Sequence, residues 1–302
     1  MNFLTEICKF LDSAGISYSE NEPMSLHTTF KIGGPARLAV FPKSEEEISA
    51  IIKKCNQYGV RFITIGNGSN LLVADEGIDA VVIILGKDFA EVTLIGDDVI
   101  YAKAGASLMK VCRFALENSL SGLEFAYGIP GSCGGGAFMN AGAYGGELKD
   151  VMFKCDHIDA NGGVGSLEGD RLELSYRHSA YFDNGGIITG VYFKLKKADA
   201  NEIKSAMDDY MSRRRDKQPL EYPSAGSTFK RPEGHFAGAL IEQCNLKGTR
   251  VGGAEISTKH AGFVINTGNA TCNDVLQLCK RVADTVKAQT GVDLEMEVRV
   301  TK

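Results

Sequence analysis

Between Gly128 and Glu147 the chain reads GIPGSCGGGAFMNAGAYGGE, a stretch with eight glycines, one proline and almost no charge. Each glycine weakens the interior of a helix or strand, so a packed element is not expected across such a density. A flexible linker would place serine and charge between the glycines, whereas here Ala, Phe, Met, Ile and Tyr separate them. The expectation is an ordered loop whose backbone comes very close to a ligand. Peptide N–H groups with no Cβ in front of them suit an anionic, phosphate-bearing partner.

The rest of the chain bounds what that partner serves. At 302 residues there is enough chain for two or three domains with real cores. The net charge of −5 argues against a general nucleic-acid binder. No apolar run reaches the length of a membrane span. The start, MNFLTEICKFLDSAG, reads as a short amphipathic helix carrying Glu6 and Asp12, without the apolar core and small-residue cleavage site of a secretory signal, so a cytoplasmic protein is expected. The eight cysteines are scattered with no C-x-x-C pair, and the five histidines are dispersed. Reduced thiols and no metal site are the reading of that pattern.

Along the chain, Ser44-Glu45-Glu46-Glu47 reads as a capping box ahead of Ile48, Ile51, Ile52 and Cys55 at helical spacing, with Gly59 as the stop. Short strands are expected over 61–65 and 80–85, giving this part an α/β rhythm. From Glu91 the texture changes: 92–95 and 99–103 read as a hairpin, Ser107 caps a helix, and 151–160 with 164–167 make a second hairpin before a strand at 186–196. A helix over 199–215 ends on Arg213-Arg214-Arg215, a run that suits a solvated, dipole-matched helix end. A domain boundary is placed near 198. Beyond it are expected a helix near 236–244, a strand near 261–266, a long helix over about 273–289 and a final strand near 294–300.

A second glycine loop, Gly66-Asn67-Gly68-Ser69-Asn70, follows the strand at 61–65. Alone it reads equally well as a tight turn at a sheet corner. Two such loops in one half of the chain point to a large dinucleotide cradled by backbone. Neither G-x-G-x-x-G nor G-x-x-x-x-G-K-[ST] is present, so a Rossmann site or a P-loop is not the form that cradle takes.

At this point the motifs converge on one family. His27-Thr28-Thr29-Phe30-Lys31-Ile32-Gly33-Gly34-Pro35-Ala36, GNGSNLL at 66–72 and GIPGSCGGGAFMNAGAYG at 128–145 resemble the opening signature and FAD-binding segments of the UDP-N-acetylenolpyruvoylglucosamine reductase family. Ser175-Tyr176-Arg177, Ala225-Gly226-Ser227-Thr228-Phe229-Lys230 and Leu294-Glu295-Met296-Glu297-Val298-Arg299 are similar to its three active-site motifs, in the same order. The resemblance implies an α+β fold. A two-lobed, vanillyl-alcohol-oxidase-type (PCMH) FAD-binding module would occupy 1–197, with lobes of about 1–86 and 87–197. A C-terminal α+β substrate domain would occupy 198–302, its last strand (294–302) returning to the active site. The passage from Arg177 to Lys196 is too short for the tyrosine-bearing insertion of one subtype, so the chain resembles the second. The family's usual Val and Ala within the long loop are here Cys133 and Gly136, both small.

The implied reaction is reduction of an enolpyruvyl group in peptidoglycan synthesis: NADPH delivers a hydride to FAD, flavin N5 passes a hydride to C3, and a proton reaches C2. The resemblance gives the cofactor contacts as Gly66, Asn67, Gly68, Ser69, Asn70 and Leu71, with Gly128, Ile129, Pro130, Gly131, Ser132, Gly135, Asn140, Ala141 and Gly142 from the long loop. Arg177 would clamp the substrate carboxylate in two-point contact; an isolated arginine would ordinarily be a surface ion pair. Ser227 would supply the proton to C2, although a loop serine is usually a turn residue. Glu297, rather than Glu295, would work with Arg299 to polarise the enol. Tyr176 reads equally as a substrate contact or a packed aromatic. Lys217 and Arg231 would meet the pyrophosphate, and His260 is either a substrate contact or a plain structural histidine. An FAD oxidase using O2 and a non-catalytic flavin sensor are the alternatives, and the intact set Arg177, Ser227 and Glu297 speaks against both.

Overall fold

Hydroxyl side chains start helices where their positions suggest. In the computed structural model, which describes residues 3–302, Ser107 Oγ accepts the Lys110 N–H at 3.2 Å and opens the helix Leu108–Glu117. Ser44 Oγ accepts the Glu47 N–H at 3.3 Å and opens Glu45–Tyr58, which stops at Gly59 with φ 63°. The expected capping box is half realised there, because the Glu47 carboxylate takes the N–H of Lys43 instead. A complete box stands at Thr271 and Asp274, ahead of the helix Cys272–Thr290. The Asp75 carboxylate adds bonds to the N–H groups of Cys272 and Asn273, at 2.7 and 3.0 Å. Of the expected N-terminal helix, Phe3–Ala14 forms, and Met1 and Asn2 lie outside the described residues.

The contacts group the chain into two compact units, each assembled from three segments. The first takes the residues up to Glu20, Leu38–Asn67 and Ala80–Arg213; the second takes Asn21–Arg37, Gly68–Asp79 and Arg214–Lys302. The boundary expected near 198 falls just before the helix Ala200–Lys217, and the division between units falls inside that helix.

Two sheets lie mostly in the first unit. One has strand order Ser17–Pro23, Pro35–Phe41, Ile78–Ile84, Phe62–Ile65, the last two pairing in parallel. The other has order Val164–Glu168, Met152–Ile158, Ile187–Lys194, Val99–Lys103, Val92–Ile95, antiparallel throughout. Both expected hairpins therefore form. Leu38, Val40, Ile48, Ile51, Ile52, Val81, Ile83, Val111, Val191 and Phe193 are among the side chains buried in this unit's core. The second unit packs Val275, Leu278, Val282 and Val286 of its long helix with Ile241, Ile256, Val264 and Phe30. Seven of the eight cysteines are buried and all are free; burial pushes the thiols of Cys55, Cys112 and Cys279 up to about 12. No helix among the described residues is long and apolar enough to cross a membrane.

Two elements differ from expectation. The long glycine segment is not wholly a loop: Cys133–Phe138 is a helix, and Gly142–Ala143 pairs with Gly146–Glu147 as a small hairpin. Glycine is used there for close approach. A Cβ at Gly134 would lie 2.7 Å from Ala104 Cβ, and one at Gly136 would lie 3.0 Å from Leu108 Cδ1 and 3.2 Å from Leu148 Cδ1. The strand expected over 294–300 is split. Met296 bridges Phe229 antiparallel, whereas Arg299–Thr301 pairs in parallel with Leu71–Val73. The run changes partner between Met296 and Arg299.

Candidate active site

In the first unit, the long glycine segment is locked by its own side chains. Ser132 Oγ caps the helix Cys133–Phe138 by accepting the Gly135 N–H at 3.2 Å. Gly131 and the residues beside it are pinned by backbone bonds, Leu108 N–H to Gly131 O at 3.0 Å and Cys133 N–H to Ala106 O at 2.7 Å. Gly128 takes φ 93°, and Ile129 donates to Ala126 O at 3.0 Å. Asn140 is fully buried and its carboxamide is consumed within the fold. It donates to Glu147 Oε2 at 2.7 Å and to Ser175 O at 2.9 Å, and accepts from Lys149 N–H at 2.9 Å. The side chain of this expected cofactor-binding residue thus ties the glycine segment to the Ser175 turn. Ala141 and Gly142 lead into the hairpin.

Residues 131–134 and 136–137 are buried, yet Gly135 is exposed, and only Ser132 Oγ, at 3.1 Å, lies near where its Cβ would stand. Asn67 and Pro130 are exposed as well, joined by a 3.0 Å bond from Asn67 Nδ2 to Pro130 O. At Gly66 any Cβ would overlap Ser132 Oγ. Asn67, Pro130 and Gly135 are thus exposed in this part of the unit, and Gly135 offers a peptide with no Cβ in front of it, which suits a phosphate-bearing group such as FAD.

Arg177 sits on a tight turn closed by reciprocal bonds between Ser175 and His178, both 3.2 Å. It adopts φ 57°, a left-handed conformation rare for a bulky side chain. Its Nη2 donates to Gly142 O at 3.4 Å and its guanidinium lies 5.0 Å from the ring centroid of Tyr176, which is 48% exposed. The turn is backed by a ring stack, Phe138 on Phe182 at 4.2 Å and Phe182 on His178 at 5.3 Å.

In the second unit, Ser227 is exposed and follows Gly226, whose φ is 76°. The next residue, Thr228, is the node of the site. It is 1% exposed, donates its N–H to Gly262 O at 2.8 Å, accepts the Val264 N–H on Oγ1 at 2.9 Å and accepts the Glu297 N–H on its carbonyl at 2.8 Å. Glu297 is held from the other side by Asn70 Nδ2, which donates to its carbonyl at 3.2 Å, and Arg299 N–H donates to Asn70 O at 3.0 Å. Ser227 and Glu297 are therefore brought onto adjacent segments, with the end of the second glycine loop beside them. Glu295, the neighbouring carboxylate, is ion-paired with Lys230.

Gly68 in that loop has φ 58°, and a Cβ on it would strike the His27 carbonyl. Ser69 is half-buried, and Leu71 begins the strand that pairs with Arg299–Thr301. Neither Thr228 nor Thr29 stood out in the sequence as a site residue. Thr29 Oγ1 donates to Ser224 O at 2.7 Å and so anchors the segment leading to Ser227. The signal available for both was membership in the motifs, since neither the buried Thr228 nor the half-buried Thr29 has a periodicity of its own.

Lys217 and Arg231 are exposed, and the Arg231 guanidinium lies 4.0 Å from the ring centroid of Phe236. His260 packs its ring at 5.0 Å from that of Phe263 and accepts the Gly262 N–H on Nδ1 at 3.1 Å. Burial holds its pKa below the ordinary histidine value, with the nearby charges of Lys247 and Lys217 pushing the same way and Glu242 opposing. A neutral ring accepting on Nδ1 carries its proton on Nε2. Among the described residues no cluster of His, Cys, Asp and Glu side chains is placed to hold a metal ion.

Comparison with known proteins agrees with this layout. Residues 36–167 match the family model described as FAD binding domain, and residues 218–301 match that described as UDP-N-acetylenolpyruvoylglucosamine reductase, C-terminal domain. The chain is 47% identical over 296 residues to the UDP-N-acetylenolpyruvoylglucosamine reductase of Syntrophomonas wolfei, covering 98% of each. It is similar to the solved structure of the Thermus caldophilus enzyme of that name, with TM-score 0.81 and 35% identity over 95% of this chain and 99% of that one. A glucooligosaccharide oxidase from Acremonium strictum bearing a cysteinyl, histidyl FAD shares the fold at TM-score 0.50 and 15% identity, covering 96% of this chain and 60% of that one. The fold is thus α+β, a vanillyl-alcohol-oxidase-type FAD-binding module followed by a C-terminal α+β domain, and the chain belongs to the UDP-N-acetylenolpyruvoylglucosamine reductase family.

Proposed function

We propose that this chain is an FAD-dependent, NADPH-consuming reductase that converts the enolpyruvyl group of UDP-N-acetylenolpyruvoylglucosamine to the lactyl ether of UDP-N-acetylmuramate, a cytoplasmic step of peptidoglycan synthesis. The observation that carries this reading is the Thr228 node, which puts Ser227 one residue from the carbonyl that receives the Glu297 N–H. Residues 1–197, with lobes of about 1–86 and 87–197, form the FAD module in this reading, and 198–302 the substrate domain of the second subtype.

Bound FAD supplies the hydride that reaches the enolpyruvyl C3, and NADPH renews it. The protein's own groups do the rest. The exposed Asn67, Pro130 and Gly135 and the half-buried Gly66 hold the cofactor in this reading, and Ser132 and Asn140 keep that backbone in shape. Arg177 takes the substrate carboxylate in its planar fork and stabilises negative charge that spreads onto it. Ser227 Oγ gives its proton to C2. Glu297, with its backbone fixed at both its N–H and its carbonyl, supplies in this reading the carboxylate that works with Arg299 to polarise the enol. Lys217 and Arg231 meet the pyrophosphate. His260 is accounted for by its packing and its bond to Gly262, and any substrate contact it makes runs through Nε2–H.

The test is direct. The purified protein should carry flavin absorbance and oxidise NADPH in proportion to added UDP-N-acetylenolpyruvoylglucosamine. Oxidation that is independent of this substrate and releases hydrogen peroxide would sink the reductase reading in favour of an oxidase. Ser227→Ala should keep flavin bleaching by NADPH while recovery of flavin colour on adding the enolpyruvyl substrate slows by several orders of magnitude; recovery at the parent rate would remove Ser227 from its role.

A further inference from the structure

The hairpin that supplies the Arg177 partner is held at its tip by an unusual turn. Tyr144 and Gly145 are its two central residues, with φ 54° and 89°, the left-handed pair of a type I′ turn. Such turns favour Asn-Gly, and a bulky aromatic at the first position is a genuine outlier. What occupies the Tyr144 ring explains its presence. It stacks on Tyr210 of the helix Ala200–Lys217, centroids 4.8 Å apart and planes inclined by 16°. Arg213, one turn further along that helix, lies 5.9 Å from the Tyr210 ring centroid and is paired with Asp209 at 2.7 Å. The column Tyr144–Tyr210–Arg213 thus gives the first arginine of the 213–215 run a place beyond that of a solvated helix end.

From the ring the connection to the site is short. Tyr144 closes the hairpin whose first residue, Gly142, accepts the Arg177 guanidinium at 3.4 Å. Asn140, two residues earlier, holds the other end of the same turn through Ser175 O at 2.9 Å. Arg177 is therefore aimed by its contact with the Gly142 carbonyl and by the Asn140 bond to its own turn, and the hairpin that carries Gly142 is stacked at its tip on Tyr210. We infer that Tyr210 is a positioning residue: by stacking on Tyr144 it sets the Gly142 carbonyl, and through it the Arg177 fork that receives the substrate carboxylate. This rests on the reading of Arg177 given above.

The experiment compares Tyr210→Phe, Tyr210→Leu and Tyr210→Ala with Arg177→Ala, all as FAD-loaded full-length protein. Tyr210→Phe keeps the stack and should match the parent. Tyr210→Leu and Tyr210→Ala should each raise KM for the enolpyruvyl substrate, and its Kd from flavin-absorbance titration, by about threefold to tenfold, the factor to which a lost aromatic pair corresponds. Flavin content and the rate of NADPH-driven bleaching should stay at parent values, which a general loosening of the unit would not allow. Parent-like KM and Kd in Tyr210→Ala, equal weakening in Tyr210→Phe, or a parallel loss of bleaching rate would each overturn the inference. If Arg177→Ala itself leaves substrate affinity and turnover unchanged, the Arg177 reading fails first, and the two failures are thereby told apart.

Discussion

Two buried threonines make a matched test of how the site is held. Thr228 and Thr189 are both 1% exposed, but only one hydroxyl is employed. Thr228 Oγ1 accepts the N–H of Val264, a fully buried residue, at 2.9 Å, whereas Thr189 Oγ1 is buried with no hydrogen-bond partner. Valine replaces either side chain at nearly constant shape. In Thr228→Val the Val264 N–H loses its acceptor where water cannot reach it, which costs roughly 1–3 kcal/mol. In Thr189→Val an unsatisfied hydroxyl becomes a methyl, which should be neutral or stabilising by up to about 1 kcal/mol. For a chain of this size each kcal/mol moves Tm by about 2–4 °C, so the two variants should separate by several degrees in opposite directions. Thermal unfolding followed by circular dichroism is the assay, with FAD saturating in every sample because bound cofactor itself raises Tm. Turnover adds a second readout: Thr228→Val should lose kcat, since the same residue's backbone holds Gly262 and Glu297, whereas Thr189→Val should not. A Thr228→Val protein as stable and as active as the parent would refute the node, and a Thr189→Val protein that unfolds early would show its hydroxyl to be in use.

Gly66→Ala places a methyl on Ser132 Oγ, so the cap of the helix Cys133–Phe138 is displaced at a cost of about 0.5–2 kcal/mol; the flavin-to-protein absorbance ratio of the purified variant should fall well below the parent's, and full flavin content would disprove the close approach. Asn70→Ala removes the bond to the Glu297 carbonyl, worth about 0.5–1.5 kcal/mol, and should lower kcat by roughly threefold to tenfold with little change in KM; an effect on KM alone would contradict this placement. His260 and His157 both have pKa values held below 6.5 by burial. The unfolded chain then binds protons first as pH falls, so their contribution is fully present above about pH 6.5 and is lost as pH falls through that value toward their folded pKa values. Urea midpoints measured across that range should decline toward acid, less steeply in His260→Gln; an unaltered slope would mean that His260 does not titrate with folding.

What was legible in the sequence is local. Ser107, Gly59 and the hairpin of 92–103 announce themselves because the residues that satisfy them lie within one turn of chain. The long glycine segment was misread as loop because the reasons for its glycines are remote in sequence: Ala104 and Leu108 crowd Gly134 and Gly136 from a different helix and strand end. The last strand differs from its sequence pattern for a similar reason. Alternation along 294–300 suits a strand, but its first half pairs with Phe229 and its second with Leu71–Val73, and no local pattern reveals a change of partner. Motif resemblance singles out Ser227 and Glu297 as catalytic candidates, and they lie on adjacent segments, while the threonine that joins those segments has no signature other than burial.

The departures from local preference are themselves informative. Outside glycine, the described backbone takes positive φ at nine positions, and Asn140, Tyr144 and Arg177 are three of them. Asparagine tolerates that region; tyrosine and arginine do not, at a cost of about 1–2 kcal/mol each. These three residues are linked, Asn140 to the Ser175 turn, Tyr144 to the hairpin tip and Arg177 to Gly142 between them. Strain kept at isolated surface turns would be relieved by glycine or asparagine without loss. On the function proposed above, strain at Arg177 and Tyr144 persists because each side chain has a task that those residues cannot perform, a charged fork in one case and a stacking ring in the other. Gly145, beside Tyr144, takes φ 89° and completes the turn that holds the ring, while a Cβ at Gly146 would lie 2.6 Å from Phe125 Cγ, so the glycines here serve the turn and close packing.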